Sequence, residues 1–206
     1  MEDDDFENAV LPHPGGVENV NGYQSLAVAT VILKKIALLG APGVGKTSLV
    51  RRFVQSVFDE KYIMTLGVKV DKKQVVVGEQ DVTLMMWDVA GAEEHFGVPT
   101  SYLRGVAGYL LVVDGTRPDT LERGLDIVAQ VEGEIGRLPF VCVLNKIDLI
   151  EDWRILEADL GAVQAQGCPI LRTSARTGAG VEEAFLRLAQ LVVPPSPPGG
   201  QGFTAS

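Results

Sequence analysis

The sequence predicts an α/β layer fold, a mostly parallel sheet with helices on both faces, and three observations predict it. Apolar runs of strand length alternate with helical patterns along most of the chain. YLLVVD, FVCVLN and PILRTS are mainly apolar rather than alternating, as strands covered on both faces are. A glycine-rich turn, GAPGVGKT, joins the first strand directly to the first helix.

The elements follow in order. VILKKIALLG (31–40) reads as a strand and leads into a helix from about Lys46 to Gln55. VKVDKKQVVV and VTLMMWD flank Gly78-Glu79-Gln80-Asp81, which predicts an antiparallel hairpin. Each of the three later apolar runs is followed by a helical segment, roughly 118–135, 152–166 and 180–192. Residues 1–27 hold acids, Pro, Gly and Asn without a sustained period and are expected to be a disordered extension. The tail from Pro194, PPSPPGGQGFTAS, is expected to be flexible, because its prolines cannot continue a helix. The expected organisation is therefore an extension (1–27), one domain (28–193) and a tail (194–206).

Composition narrows the class. The chain has 206 residues and a net charge of −9, which argues against non-specific binding to nucleic acid or anionic lipid. The longest apolar candidate, GYLLVVDG, stops at Asp114, well short of the ~20 residues a membrane span needs. MEDDDFEN at the N-terminus is acidic and is no signal peptide. Cys142 and Cys168 sit among apolar neighbours, where buried free thiols are expected rather than a disulfide or a metal site. The last residues, FTAS, offer no cysteine for prenylation, and Met1-Glu2 excludes N-myristoylation. A cytoplasmic protein without a lipid anchor is the expectation.

Gly40-Ala41-Pro42-Gly43-Val44-Gly45-Lys46-Thr47 fits GxxxxGK[ST] and stands between a strand and a helix, the context a phosphate-binding loop requires. Successive backbone N–H groups and the helix N-terminus face a polyphosphate; Lys46 reaches its β- and γ-oxygens, and Thr47 offers a hydroxyl to Mg²⁺. A chain of this length matches the pattern by accident roughly once in a hundred at average residue usage. Asp88, closing LMMWD about 40 residues later, is placed to hold that metal through water. Gly91 lets a backbone N–H approach a γ-phosphate, since it carries no Cβ.

Asn145-Lys146-Ile147-Asp148 selects the base. A carboxylate accepts from guanine N1–H and the 2-amino group together, and adenine offers neither at that edge. Asn145 can tie the base site to the phosphate loop, and the Lys146 stem lies along the base. Thr173-Ser174-Ala175 supplies the other wall, with the Ala175 N–H near the guanine O6.

These three motifs, in this order on these elements, resemble the Ras superfamily of small GTPases and its Rab-like branch. The resemblance covers about 31–192 and includes TLGVKV, WDVAG, SYLRGVAGYLLVVD, NKID and TSARTGAGVEEAF. It implies the three-layer P-loop NTPase fold: a six-stranded sheet, mostly parallel with one antiparallel strand. It also implies that Phe58 packs on guanine, Tyr62 covers the phosphates, and Thr65 binds Mg²⁺ and meets the γ-phosphate. Gly91 becomes the second γ-phosphate contact, and Ser48, Ser174 and Arg176 complete the nucleotide contacts. GTP and GDP would be the ligands and Mg²⁺ the cofactor, with activating and exchange proteins as partners. An effector would bind a surface that includes Val70, Trp87 and Tyr102, unless Trp87 simply packs on its own sheet.

Two positions depart from the family. Ala92 stands where the glutamine that orients the attacking water belongs, and a methyl group neither donates nor accepts. Pro42 puts bulk in the phosphate loop, where it can obstruct an incoming arginine. Three readings stay open: a partner supplies the missing group; Glu93, Glu94 or His95 stands in for it; or GTP is bound without turnover. NKID and TSA count against an ATP-dependent kinase, and the absence of a basic surface signal counts against a ribosome-associated GTPase. The tail lacks the cysteines of eukaryotic trafficking relatives, which would suit a bacterial or archaeal protein acting through protein partners.

Overall fold

The computed structural model describes residues 32–56, 68–89 and 99–194. The N-terminal extension and most of the tail lie outside the described residues. Among the described residues six strands form one sheet: β1 (Ile32–Leu39), β2 (Val68–Val77), β3 (Gln80–Val89), β4 (Gly108–Asp114), β5 (Phe140–Asn145) and β6 (Ile170–Arg172). Their spatial order is β2-β3-β1-β4-β5-β6. Only the β2–β3 pair is antiparallel, a hairpin closed by Gly78 and Glu79 with Val77 opposite Gln80. β1 pairs in parallel with β3 on one side and β4 on the other, and β4–β5 and β5–β6 continue the parallel run. The predicted sheet, with its single antiparallel strand, is the observed one.

The helices are α1 (Lys46–Gln55), α2 (Thr100–Leu103), α3 (Asp119–Ile135), α4 (Gly161–Gln164) and α5 (Val181–Val192). One layer packs α1 and α5 on Ile36, Leu38, Val82, Leu84 and Met86 of the sheet. It includes a stacked ring pair, Phe53 of α1 on Phe185 of α5, with centroids 4.1 Å apart. The opposite layer packs α3 and the 153–163 segment on Ala37, Leu39, Leu111, Val113, Cys142 and Leu144. Alternate residues of β1 therefore serve different layers. β4 and β5 are buried at every position, as their unbroken apolar sequence requires.

Two expectations need correction. The helix expected over 152–166 is broken into 3₁₀ turns at Ile150–Asp152 and Glu157–Leu160 followed by the short α4. The cause is a competing acceptor: the backbone N–H groups of Arg154 and Ile155 donate to Gly115 O instead of to their own preceding turn. The Trp153 ring lies against Gly115 so closely that a Cβ there would meet it at 2.0 Å. Cys142 is a fully buried free thiol as expected, but Cys168 is only partly buried. Burial pushes the Cys142 thiol up to about 12.

Candidate nucleotide site

The loop between β1 and α1 is shaped by two glycines that no other residue could replace. Gly40, at φ 145°, passes so close to β4 that a Cβ would stand 2.2 Å from Val112 O. Gly45, at φ 101°, precedes α1, and a Cβ there would stand 2.4 Å from Asn145 Nδ2. α1 starts with no side-chain cap and no acid in its first turn, whereas α3 carries Asp119 and Glu122 there and α5 carries Glu182 and Glu183. The uncapped N–H groups and the positive end of the α1 dipole thus face the loop, an arrangement suited to an anion.

Side-chain donors occupy the loop's carbonyls. Lys46 Nζ donates to Gly40 O at 2.9 Å and to Ala41 O at 3.0 Å. Arg117 Nη2 donates to Pro42 O at 2.8 Å, and Asn145 Nδ2 donates to Val44 O at 2.9 Å. Oxygen aimed at a phosphate would repel it, so engaging these oxygens elsewhere lets the loop's backbone N–H groups dominate. Burial draws Lys46 down to about 8, partly countered by Asp88. A buried ammonium in this position gains most from a neighbouring anion.

Asp88 stands beside the loop because β3 runs parallel to β1, with Asp88 in register with Leu38. Thr47 Oγ1 donates to Asp88 Oδ2 at 2.5 Å. The other carboxylate oxygen, Oδ1, is buried and has no hydrogen-bond partner among the described residues. Burial raises the Asp88 carboxyl, opposed by the Thr47 hydrogen bond and the charge of Lys46. A hydroxyl and an orphaned carboxylate oxygen fit a hard divalent cation. Among the described residues no cluster of three or more His, Cys, Asp or Glu side chains could hold an ion alone.

On the base side, Asn145 ends β5 and is fully buried. Its Oδ1 accepts from Thr173 Oγ1 at 3.1 Å and from the Ala175 N–H at 3.2 Å, so the amide expected to meet guanine O6 is engaged within the protein. The Ile147 N–H donates to Thr173 O at 3.0 Å, and Ser174 Oγ donates to Asp148 Oδ1 at 2.5 Å. NKID and TSA therefore form one wall with the Asp148 carboxylate held in place. Lys146 takes a left-handed backbone, φ 73°, and its Nζ reaches Asp114 Oδ2 at 2.6 Å. Ser48 is half-buried in the first turn of α1, and Arg176 is exposed beside Ala175.

Three supporting residues were not foreseen. Asp114, at the end of β4, is buried; its Oδ1 accepts from the Thr116 N–H and Oγ1, and its Oδ2 from Lys146 and Arg117. Burial works to raise this carboxyl, but the hydrogen bonds from Lys146 and Thr116 outweigh it and hold the pKa below the ordinary value. Arg117 was visible only as a charge after Asp114-Gly-Thr. Arg52 of α1 donates to Ala175 O at 2.9 Å and to Arg176 O, clamping the TSA loop from below.

Phe58, Tyr62, Thr65, Gly91, Ala92, Glu93, Glu94 and His95 lie outside the described residues. The effector candidates are partly within them. Val70 is 42% exposed and directly opposite Trp87 across the hairpin. Trp87 is half-buried, Lys35 Nζ stands 3.7 Å over its ring, and its buried indole N–H has no partner among the described residues. Tyr102 is partly buried against the α3 layer.

A family model described as "Ras family" matches residues 35–193. Ras-related protein Rab-21 from Geodia cydonium is 32% identical over 166 residues, 80% of this chain and 72% of that protein. Ras-related protein SEC4 of Saccharomyces cerevisiae is 34% identical over 165 residues, 78% of this chain and 75% of that protein. Rab-21 of Homo sapiens is 35% identical over 162 residues, covering 77% and 72% respectively.

Proposed function

The chain belongs to the Ras family, as a Rab-like small GTPase, and we propose that it is a GTP/GDP switch that hydrolyses GTP slowly or with a partner's help. The observation that carries this reading is the buried Asn145 amide, which bonds Val44, Thr173 and Ala175 at once. One side chain thereby joins the phosphate loop, NKID and TSA into a single pocket wall.

The residues divide the work. Asp148, oriented by Ser174, accepts from the guanine edge; the 40–47 backbone and Lys46 hold the phosphates. Thr47, Asp88 and Thr65 would hold Mg²⁺, which when bound neutralises charge developing on the β- and γ-oxygens. Ala92 brings no polar group to the attacking water, so orientation falls to a partner protein or to Glu93, Glu94 or His95. Thr65 and Gly91 would sense the third phosphate and change the surface around Val70, Trp87 and Tyr102, where an effector binds. The exposed Val70 directly opposite the half-buried Trp87 supports that assignment. A domain over 28–193, acting in the cytoplasm through protein partners, completes the proposal. Among the described residues no helix is long and apolar enough to cross a membrane.

Ala92 also favours a second reading, an interaction module that holds GTP without turning it over. The test is to identify the copurifying nucleotide, reload with GTP, and follow its decay with and without excess ATP. Retained guanine nucleotide that ATP does not displace is expected; displacement by ATP overturns the switch reading. GTP that persists unaltered even with candidate activating proteins favours the second.

A further inference from the structure

Arg117 holds a part of the phosphate loop that none of the described motif residues bonds. Its guanidinium makes two bonds in different directions, Nε to Asp114 Oδ2 at 3.1 Å and Nη2 to Pro42 O at 2.8 Å. Asp114 is a rigid anchor for it, buried, with its other oxygen held by Thr116 and the shared oxygen also held by Lys146. Pro42 has no N–H of its own, so its peptide oxygen is the only backbone hydrogen-bonding group it offers. Left unengaged, that oxygen could turn toward a bound polyphosphate and oppose it. Lys46 takes the two preceding carbonyls and Asn145 takes Val44 O, but neither bonds Pro42.

We propose that Arg117 is a positioning residue for the phosphates of the nucleotide: it pins the Pro42 carbonyl away from them and links the loop, through Asp114, to Lys146 of the base-recognition loop. The inference rests on the guanine-switch reading and adds to it a residue outside all of its motifs. It acts through geometry as well as charge, because the planar fork spans two acceptors that a lysine ammonium cannot span in the same way. Its effect grows with the number of phosphates, since a longer polyphosphate depends on more of the loop.

The test measures dissociation of labelled GTP and GDP from wild-type protein, Arg117→Ala and Arg117→Lys, with thermal midpoints for each. Arg117→Ala is expected to raise the GTP rate over the GDP rate by roughly fivefold, the scale of one charge-assisted hydrogen bond. Arg117→Lys, which keeps the charge, is expected to restore less than half of that change on a logarithmic scale. An unchanged ratio overturns the proposal, whether both rates stay the same or both rise together with a lowered midpoint. Full recovery in Arg117→Lys also overturns it, because charge alone would then suffice. Should Arg117→Ala fold poorly, Arg117→Lys is read alone, and a wild-type ratio there overturns the proposal. Wild-type protein that holds no guanine nucleotide would remove the switch reading itself, and this inference with it; wild-type binding with an unmoved ratio removes the inference only.

Discussion

Asn145 donates its side-chain N–H to Val44 O at 2.9 Å, across 101 positions of sequence, while its oxygen accepts from Thr173 and Ala175. The amide can do this because β4 places β5 within the same sheet as β1, with Asn145 at the strand end nearest the loop. Replacing it by alanine leaves three buried polar groups short of partners. Asn145→Ala should cost about 3 kcal/mol of stability and loosen GDP at least tenfold. Urea midpoints and GDP titration check both effects, and a variant as stable as wild type would contradict the account.

Asp148 presents its carboxylate from a position fixed by Ser174. Asp148→Asn replaces two acceptors by one acceptor and one donor, which mismatches the guanine 2-amino group and matches an oxygen at that position. The variant should lose GDP affinity by about 100-fold or more and gain affinity for the xanthine nucleotide. Competition between GDP and XDP on the purified variant measures the switch.

Ala92 is the position at which hydrolysis is expected to be limited. Ala92→Gln should raise the single-turnover GTP rate by at least about tenfold, because it restores a polar group able to orient the attacking water. If instead His95→Ala or Glu93→Ala abolishes turnover while Ala92→Gln leaves it unchanged, the chain carries its own substitute.

Asp114 gives the protein an acid-sensitive element. Its folded pKa lies below the ordinary 3.8, so its ionised form stabilises the fold above that value, and the contribution is lost as pH falls through the folded pKa. Stability should therefore drop more steeply below about pH 4 in wild type than in Asp114→Asn, which removes the titrating group. At neutral pH the variant should be weaker by roughly 2–3 kcal/mol, since Lys146 and Arg117 lose their shared anion. Denaturation followed from pH 7 to about pH 3 checks the sign.

Much of the architecture was legible because it rests on local pattern. α1 begins at the lysine of the loop motif and ends where its amphipathic period ends, and the hairpin turns at the glycine between two strand-like runs. The 152–166 segment failed for a nonlocal reason: its N–H groups are claimed by Gly115 O, a partner that periodicity in that segment cannot reveal. The motifs named residues that the structure gathers around the β1–α1 loop, Lys46, Asn145, Thr173 and Ala175 among them. Arg117 and Arg52 act on backbone carbonyls, which every residue carries, so nothing in their sequence context marks them. Asp114 had a weak signal, an acid closing an otherwise apolar strand, the same signal that pointed to Asp88.

The stacking of Phe53 on Phe185 ties the helix that opens at the phosphate loop to the last helix of the domain. During synthesis, the loop, Asp88 and NKID all leave the ribosome before α5 does. Until then α1 lacks the ring and the aliphatic face that hold it on the sheet. Nucleotide capture thus becomes a report on completion: a nascent chain stalled before Val181 carries nearly every recognition motif yet should not retain GDP.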